Sequence, residues 1–302
     1  MNSHGSVIAL GFFDGVHRGH GALLRRTREQ SVRLGVSPAV FTFDRPPKEV
    51  VTGCPVPLLN TAEDRCDLIR RLYGIEQVIL APFDRAMMTM DWQDFISLLT
   101  QRYGAVHLVA GHDYRFGYRN EGSPELLQRH CAELGLGCDI IPRVDLHGVT
   151  VSSTHIRSLI DRGDVEQAAD FLGHPHCMSQ TVTHGRRIGS TIGTPTFNFL
   201  PPAGVLLPAR GVYATRTYLP DGRCREGVTN VGVRPTVDRS GVVSVETYLF
   251  DFSGELYGQH LRLDFCCYLR PEREFPSLDA LRRQIRQDTE DAKRYFSENK
   301  SI

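Results

Sequence analysis

The chain has 302 residues, 41% of them hydrophobic and 23% charged, which is typical of a globular protein long enough for two domains. Lys and Arg total 35 and balance 35 Asp and Glu, so no net field favours nucleic acid or an anionic membrane surface. The first residues lack the pattern of a signal peptide, and no apolar run approaches the roughly 20 residues that span a bilayer. We therefore expect a cytoplasmic protein that binds neither nucleic acid nor membrane.

Eight cysteines are spread along the chain without a C-x-x-C motif or a paired spacing. A chain of this length does not need disulfides to stabilise its core, so the pattern predicts reduced thiols in a cytosolic protein. For the oligomeric state we expect a monomer or a weak homo-oligomer.

The first half alternates short apolar runs with helical patterns. The candidate strands are VIAL (7–10), AVFTF (39–43), QVILAPF (77–83), AVHLVAG (105–111) and CDIIPRV (138–144). One helix is predicted between the N-cap residue Asp91 and Gly104, and another between Thr61 and Gly74. This alternation, with nearly continuous apolar strands, predicts a parallel, Rossmann-like α/β sheet.

The second half follows a different pattern. A helix is predicted over 164–172, and helical periodicity then disappears over 180–269. The β-like runs there are separated by Gly, Pro and Asp: QTVTHG, GVYATRTYL, GVTNVGV, VSVETYLFDF and HLRLDFCCYL. This spacing predicts an antiparallel β-barrel.

A C-terminal helix closes the chain. Its expected apolar stripe consists of Leu278, Leu281, Ile285, Ala292 and Tyr295. The change of pattern between the two halves predicts two domains, at 1–174 and 175–302.

The stretch GFFDGVHRGH follows the first strand and places His17 and His20 where the first helix begins. Gly11 and Gly15 permit a tight turn, and a helix N-terminus offers free N–H groups to a phosphate. Structural histidines or a metal pair are the alternatives, although no Cys or carboxylate other than Asp14 lies nearby at ligand spacing. Because ligands bind at the carboxyl ends of parallel strands, the position favours phosphate.

This stretch resembles the head signature of the bacterial bifunctional riboflavin kinase/FMN adenylyltransferase family, which belongs to the H-x-G-H nucleotidyltransferases. Three further segments are similar to that family in the same order: FTFDRPPKEV (41–50), AGHDYRFGYRNEGS (110–123) and VSSTHIRSLIDRGDVEQAADFLGHP (151–175). The resemblance implies a domain that joins FMN to the α-phosphorus of ATP and releases pyrophosphate.

The same resemblance implies roles for individual residues. His17 and His20 would bind the ATP phosphates and stabilise the pentavalent α-phosphorus. Ser153, Thr154 and Arg157 would close over the triphosphate, with Arg157 donating to the pyrophosphate leaving group. The alternatives are a helix N-cap for the Ser-Ser-Thr segment and a surface charge for Arg157.

Further residues would line the pocket of this first site for ATP or flavin. They are Gly11, Phe12, Asp14, Asp113 and Phe116. Asp113 also has the alternative of an ordinary turn residue. The reaction needs no covalent enzyme intermediate, so positioning and charge neutralisation provide most of the catalysis.

The second half offers another phosphate site. Gly185, Gly189 and Gly193 make a flexible loop suited to close backbone approach, but no Lys follows, so this is not a P-loop. Thr196 and Asn198 alternate with phenylalanines and would share one face of a strand. Their hydroxyl and carboxamide suit Mg²⁺ carried by a nucleotide.

Glu246 and Tyr248 alternate in the same way, and the alternative is a barrel whose polar residues simply face water. Residues 175–296 resemble the riboflavin kinase module of the same family. The resemblance implies that Thr196 and Asn198 hold Mg²⁺–ATP and that Glu246 takes the proton from the riboflavin 5′-hydroxyl. It also places Arg270 near the flavin.

The chain departs from its family at several positions. Arg45-Pro46-Pro47 stands where members usually have Pro-His-Pro, Ser190 where an Arg is common, and Phe12 where many carry Asn. We expect a bifunctional enzyme that uses ATP, riboflavin and FMN and yields FAD. The alternatives are a riboflavin kinase with weak or lost adenylylation, through the change at Arg45, and a non-catalytic flavin or nucleotide regulator.

Overall fold

The structure is a computed structural model that describes residues 5–183, 196–233 and 243–299. It divides into two compact units. The first contains the described residues up to Leu58 together with Ala62–Ser153, and the second contains Leu59–Thr61 and the described residues from Thr154 onward.

The first unit is built on a parallel sheet, which confirms the predicted α/β architecture. Its described strands are β1 (Ser6–Leu10), β2 (Ser37–Phe43), β3 (Gln77–Ala81), β4 (Ala105–Gly111) and β5 (Gly137–Ile141). They lie in the order β3-β2-β1-β4-β5. The third and fifth strands end earlier than their apolar runs because Pro82 and Pro142 have no N–H to donate to a ladder.

Helices connect these strands. They are α1 (Arg18–Leu34), α2 (Pro47–Thr52), α3 (Ala62–Tyr73), α4 (Arg85–Met88), α5 (Trp92–Tyr103) and α6 (Pro124–Glu133). The predicted ends of α5 are confirmed, since Asp91 accepts the Gln93 N–H and Gly104 adopts the left-handed conformation. A short hairpin, β6 (Asp145–Leu146) and β7 (Val149–Thr150), follows β5.

The strand order positions the site. Strands β1 and β4 are parallel neighbours, with Ala9 opposite Val109, although two strands separate them in the chain. The sheet therefore runs in one direction from β1 to β3 and in the other from β4 to β5. The carboxyl ends of β1 and β4 meet at the switch point, where open α/β sheets bind ligands.

The second unit contains an antiparallel barrel, as predicted. Among its described residues, the closed order is β10-β11-β12-β9-β8-β13. The strands are β8 (His176–Thr183), β9 (Thr196–Phe199), β10 (Gly211–Tyr218), β11 (Cys224–Val233), β12 (Val243–Leu249) and β13 (His260–Arg270). The remaining helices are α7 (Ser153–Arg162), α8 (Val165–Leu172) and α9 (Leu278–Glu298).

The C-terminal helix α9 exists as predicted, but part of its expected apolar stripe is wrong. Ala292 and Phe296 pack against the barrel with Asp288, whereas Leu278 is 57% exposed. Leu278 lies ten residues before Asp288 and therefore about 80° away around the helix. The packed face thus includes a buried carboxylate, which an apolar count leaves out.

None of the helices in the described part of the chain combines the length and the hydropathy that a membrane crossing requires.

Candidate functional sites

The turn after β1 is strained. Phe13 and Val16 have positive φ values of 58° and 41°, and Gly15 has φ of 80°. A positive φ is a marked outlier for a β-branched residue, and such strain clusters at functional sites. The Val16 N–H donates to the Phe13 carbonyl at 3.0 Å and closes the turn. We call Gly11–His20 the first turn.

The two histidines of the first turn are held against each other. His17 caps α1, and its Nδ1 accepts the backbone N–H of His20 at 3.2 Å. The two rings stack with centroids 3.6 Å apart and an interplanar angle of 11°. A Cβ on Gly19 would lie 3.1 Å from the His17 ring, so the glycine between the histidines leaves room for this stack.

Charge and burial keep His20 neutral. Its Nδ1 is buried and has no hydrogen-bond partner in the described parts of the chain. Desolvation, and then the positive potentials of His17 and Arg65, hold the pKa of His20 well below its usual value. A neutral imidazole still donates one N–H, which suits a phosphate oxygen.

The alternative interpretation, that the two histidines bind a metal ion, would require a third ligand. Within residues 5–183, 196–233 and 243–299, no group of three His, Cys, Asp or Glu side chains is arranged to hold a metal ion. The Nδ1 lone pair of His17 is moreover directed to the backbone N–H of His20.

Ser153 belongs to the first unit and reaches the first turn. Its hydroxyl donates to the carbonyl of Asp14 at 3.0 Å, and Asp14 itself is buried. Asp113 is exposed in the turn that follows β4, the strand next to β1. The structure thus brings Ser153 and Asp14 together and places Asp113 at the same edge of the sheet.

Phe116 has a packing role. It is buried, its ring stacks on Tyr114 with centroids 5.4 Å apart, and it lies 5.7 Å from the Phe95 ring. A Cβ on Gly122 would lie 2.8 Å from this ring. Its contribution to a nucleotide pocket stays a prediction.

Thr154 and Arg157 lie on α7 and group with the second unit. Thr154 is exposed and Arg157 is half-buried. Their roles beside the triphosphate also stay predictions.

Arg45, at the departure from the family pattern, has a partner in its own segment. The Arg45 side chain is 61% exposed and forms an ion pair with Asp44 at 3.5 Å. The Asp44 carboxylate also accepts the Phe83 N–H at 2.9 Å. Pro47 begins α2 directly afterwards, a position where proline is favoured.

In the barrel, strand register brings the predicted kinase residues together. Asn198 lies directly opposite Glu246, and Thr196 opposite Tyr248, in the antiparallel pair β9–β12. These four side chains share a face because their neighbours Phe199 and Val245 point to the other side, where both are fully buried.

The side chains on this face fit a magnesium ion. A hydroxyl, a carboxamide oxygen and a carboxylate are hard oxygen donors, the kind that Mg²⁺ accepts. Asn198 is 3% exposed, so its carboxamide is held in a defined position. The predicted phosphate-loop residues Gly185, Gly189 and Gly193, like Ser190, lie outside the described residues.

Arg270 is engaged in a buried ion pair. Its Nε and Nη2 donate to the two carboxylate oxygens of Asp288 on α9, at 2.8 and 2.7 Å. Gln284 donates to the same carboxylate at 2.7 Å. The guanidinium therefore ties the end of β13 to the C-terminal helix, and a flavin contact stays a prediction.

Arg65 is a candidate site residue that the sequence motifs do not include. This residue on α3 is 0% exposed, and its guanidinium lies over the Phe12 ring, 4.2 Å from the centroid. A signal is present in the sequence, because Arg65 shares the i, i+3, i+4 stripe of the buried residues Leu68 and Ile69. A charge at such a position is unusual, because charged side chains are almost never fully buried unless they are paired.

The fold and the two candidate sites define a class of two-part proteins. In this class a nucleotide-binding α/β unit is followed by a β-barrel in which two paired strands carry polar side chains. Comparison with known proteins agrees in both parts. Residues 1–155 match the family model for FAD synthetase, and residues 172–296 match the model for riboflavin kinase.

Curated relatives extend over nearly the whole chain. A bifunctional riboflavin kinase/FMN adenylyltransferase from Pseudomonas fluorescens is 36% identical over 294 residues, which cover 94% of this chain and 91% of the relative. The Escherichia coli K12 protein of the same name is 34% identical, with 97% and 93% covered. A crystal structure described as a macrolide-efflux protein from Streptococcus pneumoniae superposes with a TM-score of 0.84 at 28% identity, covering 96% of this chain and 94% of that one.

The chain belongs to the bifunctional riboflavin kinase/FMN adenylyltransferase family. Its two matched domains support the two-step conversion of riboflavin to FMN and of FMN to FAD.

Proposed function

We propose that the first turn is the site of adenylyl transfer and that the Asn198–Glu246 face is the site of riboflavin phosphorylation. The observation that carries the proposal is the stacked histidine pair at the N-terminus of α1, at the switch point of the sheet. This is where a phosphate finds backbone N–H groups and a positive helix end.

In adenylyl transfer, an oxygen of the FMN phosphate attacks the α-phosphorus of ATP, and the bond to the β-phosphate breaks. Pyrophosphate leaves with the electron pair. His17 and His20 donate to the phosphate oxygens as negative charge gathers around the pentavalent phosphorus. Ser153 holds the first turn through its bond to Asp14, while Thr154 and Arg157 supply donors to the leaving pyrophosphate.

In riboflavin phosphorylation, the 5′-hydroxyl attacks the γ-phosphorus of ATP and ADP leaves. Glu246 accepts the hydroxyl proton, which requires it to lie within hydrogen-bond reach of the substrate. Thr196 and Asn198 would hold Mg²⁺, whose positive charge neutralises and orients the ATP phosphates. Asn198 and Glu246 are direct cross-strand partners, which supports a shared site.

We further propose that the functional boundary lies at 174/175, close to residue 172, where the riboflavin kinase match begins. We also propose a cytoplasmic protein that acts on small molecules as a monomer or weak homo-oligomer. All eight cysteines are free thiols, which supports a reducing compartment.

The full chain, incubated with riboflavin, MgCl₂ and ATP and followed by chromatography, should form FMN first and FAD later, with pyrophosphate released in the second step. Unphosphorylated riboflavin would overturn the kinase assignment and favour the regulator. FMN that accumulates without FAD would favour the alternative of lost adenylylation.

A further inference from the structure

Arg65 is a buried cation whose hydrogen-bonding capacity is mostly unused. Its Nη2 donates to the carbonyl of Phe43, the last residue of β2. Its Nε and Nη1 are buried and have no partner among the residues that the structure describes. A buried guanidinium with unpaired N–H groups is costly, so a stable core alone does not explain an arginine here.

The surroundings of Arg65 place it directly behind the first turn. The Phe12 ring lies across the guanidinium, 4.2 Å from its carbon atom. Phe12 follows β1 and Phe43 ends β2, and these strands are neighbours in the sheet. The guanidinium thus contacts the chain at the carboxyl ends of the neighbouring strands β1 and β2 from the side of α3.

The positive charge of Arg65 is only partly balanced by the negative groups around it. Asp14 and Asp44 are the carboxylates that act on it, together with the Cys66 thiol, and no hydrogen bond to any of them is formed by its two unpaired nitrogens. Burial lowers the pKa of Arg65, but a guanidinium stays protonated at neutral pH. A positive charge therefore remains behind the turn in a poorly solvated position.

We propose that Arg65 is a positioning residue of the adenylyl-transfer site, which fixes the first turn through Phe12 and supplies a buried positive charge for the phosphates bound at His17 and His20. The inference rests on the proposed function of the first turn. A fixed charge in a low-dielectric site acts on an anion more strongly than a solvated one, and it needs no reorganisation when the ligand arrives.

The same charge acts on the histidine pair. Desolvation, the stacked His17 ring and the Arg65 guanidinium, in that order, all lower the pKa of His20. Removing the guanidinium charge should therefore raise the pKa of His20. A guanidinium that exerted no electrostatic effect at the first turn would leave that value unchanged when it is removed.

The closing experiment compares Arg65→Met, which keeps an unbranched side chain but loses the charge, with Arg65→Lys, which keeps the charge. Arg71→Met is the matched control, because Arg71 is exposed on the same helix and pairs with the exposed side chain of Asp67. The first measurement is the KM for ATP in FMN adenylylation and, in the same preparations, in riboflavin phosphorylation.

We expect Arg65→Met to raise the KM for ATP in adenylylation roughly tenfold or more, the scale of one lost charge interaction near a phosphate. The kinase KM should stay unchanged, since that reaction uses the other unit. Arg65→Lys should recover most of the loss, and Arg71→Met should match the wild type. An unchanged adenylylation KM in Arg65→Met, or equal losses in both reactions, would overturn the proposal.

The second measurement does not depend on activity. The ring protons of His20, followed by NMR over a pH series, should titrate at a higher midpoint in Arg65→Met than in wild type and near the wild-type midpoint in Arg65→Lys. An unmoved midpoint in Arg65→Met overturns the inference even if FAD is formed. If the wild type makes no FAD, the proposed function fails, while this titration still decides what Arg65 does to His20.

Should Arg65→Met fail to fold, Arg65→Lys and Phe12→Leu decide the matter. The proposal requires Arg65→Lys to keep the His20 midpoint and Phe12→Leu to weaken ATP binding in adenylylation alone. Failure of either requirement contradicts it.

Discussion

The two sites of this chain are assembled in different ways. In the first turn, ten successive residues place both histidines through positive φ angles, a helix cap and a ring stack. In the barrel, Asn198 and Glu246 are 48 positions apart and meet only because β9 and β12 pair in one register. The first arrangement is local, so a sequence motif reveals it. The second depends on the register of hydrogen bonds between two strands that are distant in the sequence.

The largest expected effect separates the two sites. Replacing His17 and His20 with Ala should slow FAD formation from supplied FMN by at least roughly a thousandfold, because each donor to transition-state charge contributes about 10²–10³. Riboflavin phosphorylation should continue at the wild-type rate. His147→Ala, an exposed histidine of the same unit, is the control. Loss of both activities would contradict two independent sites.

The reciprocal change addresses the barrel. Glu246→Gln keeps the size of the side chain but cannot accept the proton, so FMN formation should fall by roughly a hundred- to thousandfold. FAD formation from supplied FMN should be unaffected, and exposed Glu255→Gln should change neither rate. FMN production by Glu246→Gln at the rate of the wild type, measured in the same assay, would remove Glu246 as the base.

The Arg270–Asp288 pair tests what holds α9 on the barrel. Asp288 is 4% exposed at its side chain, so Asp288→Ala leaves the Arg270 guanidinium without its buried partner. We expect a loss of about 3 kcal/mol in the free energy of unfolding of the barrel, measured by hydrogen exchange of barrel peptides. Asp291→Ala, which removes a more exposed i,i+3 pair, should cost less than about 1 kcal/mol. Equal losses would show that burial of the pair is unimportant.

A buried histidine gives the barrel its own acid sensitivity. Burial lowers the pKa of His176 to about 4 from 6.5, and its Nε2 lies 3.2 Å from the Leu206 carbonyl. In the unfolded chain this histidine is protonated below about pH 6.5, whereas in the folded barrel it stays neutral until about pH 4. The free energy of unfolding of the barrel should therefore fall by about 3 kcal/mol as the pH is lowered from 6.5 to 4, and this histidine should cause no change above pH 6.5.

His176→Gln keeps an N–H for Leu206 but does not titrate, so barrel hydrogen exchange between about pH 7 and pH 4.5 should depend less on pH in this variant. Exposed His147→Gln should behave as the wild type. The prediction fails if the pH dependence is the same in all three proteins.

The smallest effect concerns the strained turn. Gly15→Ala forces a side chain into a positive φ of 80°, which costs about 1–2 kcal/mol and should slow FAD formation. Gly135→Ala has the same kind of cost at φ of 70° beyond α6, where a Cβ meets nothing within 4 Å. Its adenylylation rate should match the wild type, and a loss equal to that of Gly15→Ala would show that only stability is involved.

Much of the fold follows from local pattern. Apolar runs predict the parallel strands, and Asp91 and Gly104 predict both ends of α5, because caps and left-handed glycines act over a few residues. The switch of strand order between β1 and β4 is not encoded in any local stretch, so the sequence does not show which turns meet.

The candidate sites, like the fold, can be predicted from the sequence only where their geometry is local. The histidine pair is recognisable because its geometry is contained in one motif. Arg65 is not recognisable in this way, because its effect depends on α3 lying beside the first turn. The ion pair of Arg270 is equally hidden, since its partner Asp288 is 18 positions away on a helix. Long-range electrostatic partners require the folded structure.

The pairing of Asn198 with Glu246 also limits how this protein can change its length. Inserting one residue within β9 would send Thr196 and Asn198 inward and push Phe197 and Phe199 outward, since adjacent strand residues face opposite ways. Inserting two residues would return each side chain to its original face, but each donor would then lie two positions away from its present cross-strand partner. Across related chains, length variation should therefore be absent from this strand and collect in the loops on either side of it.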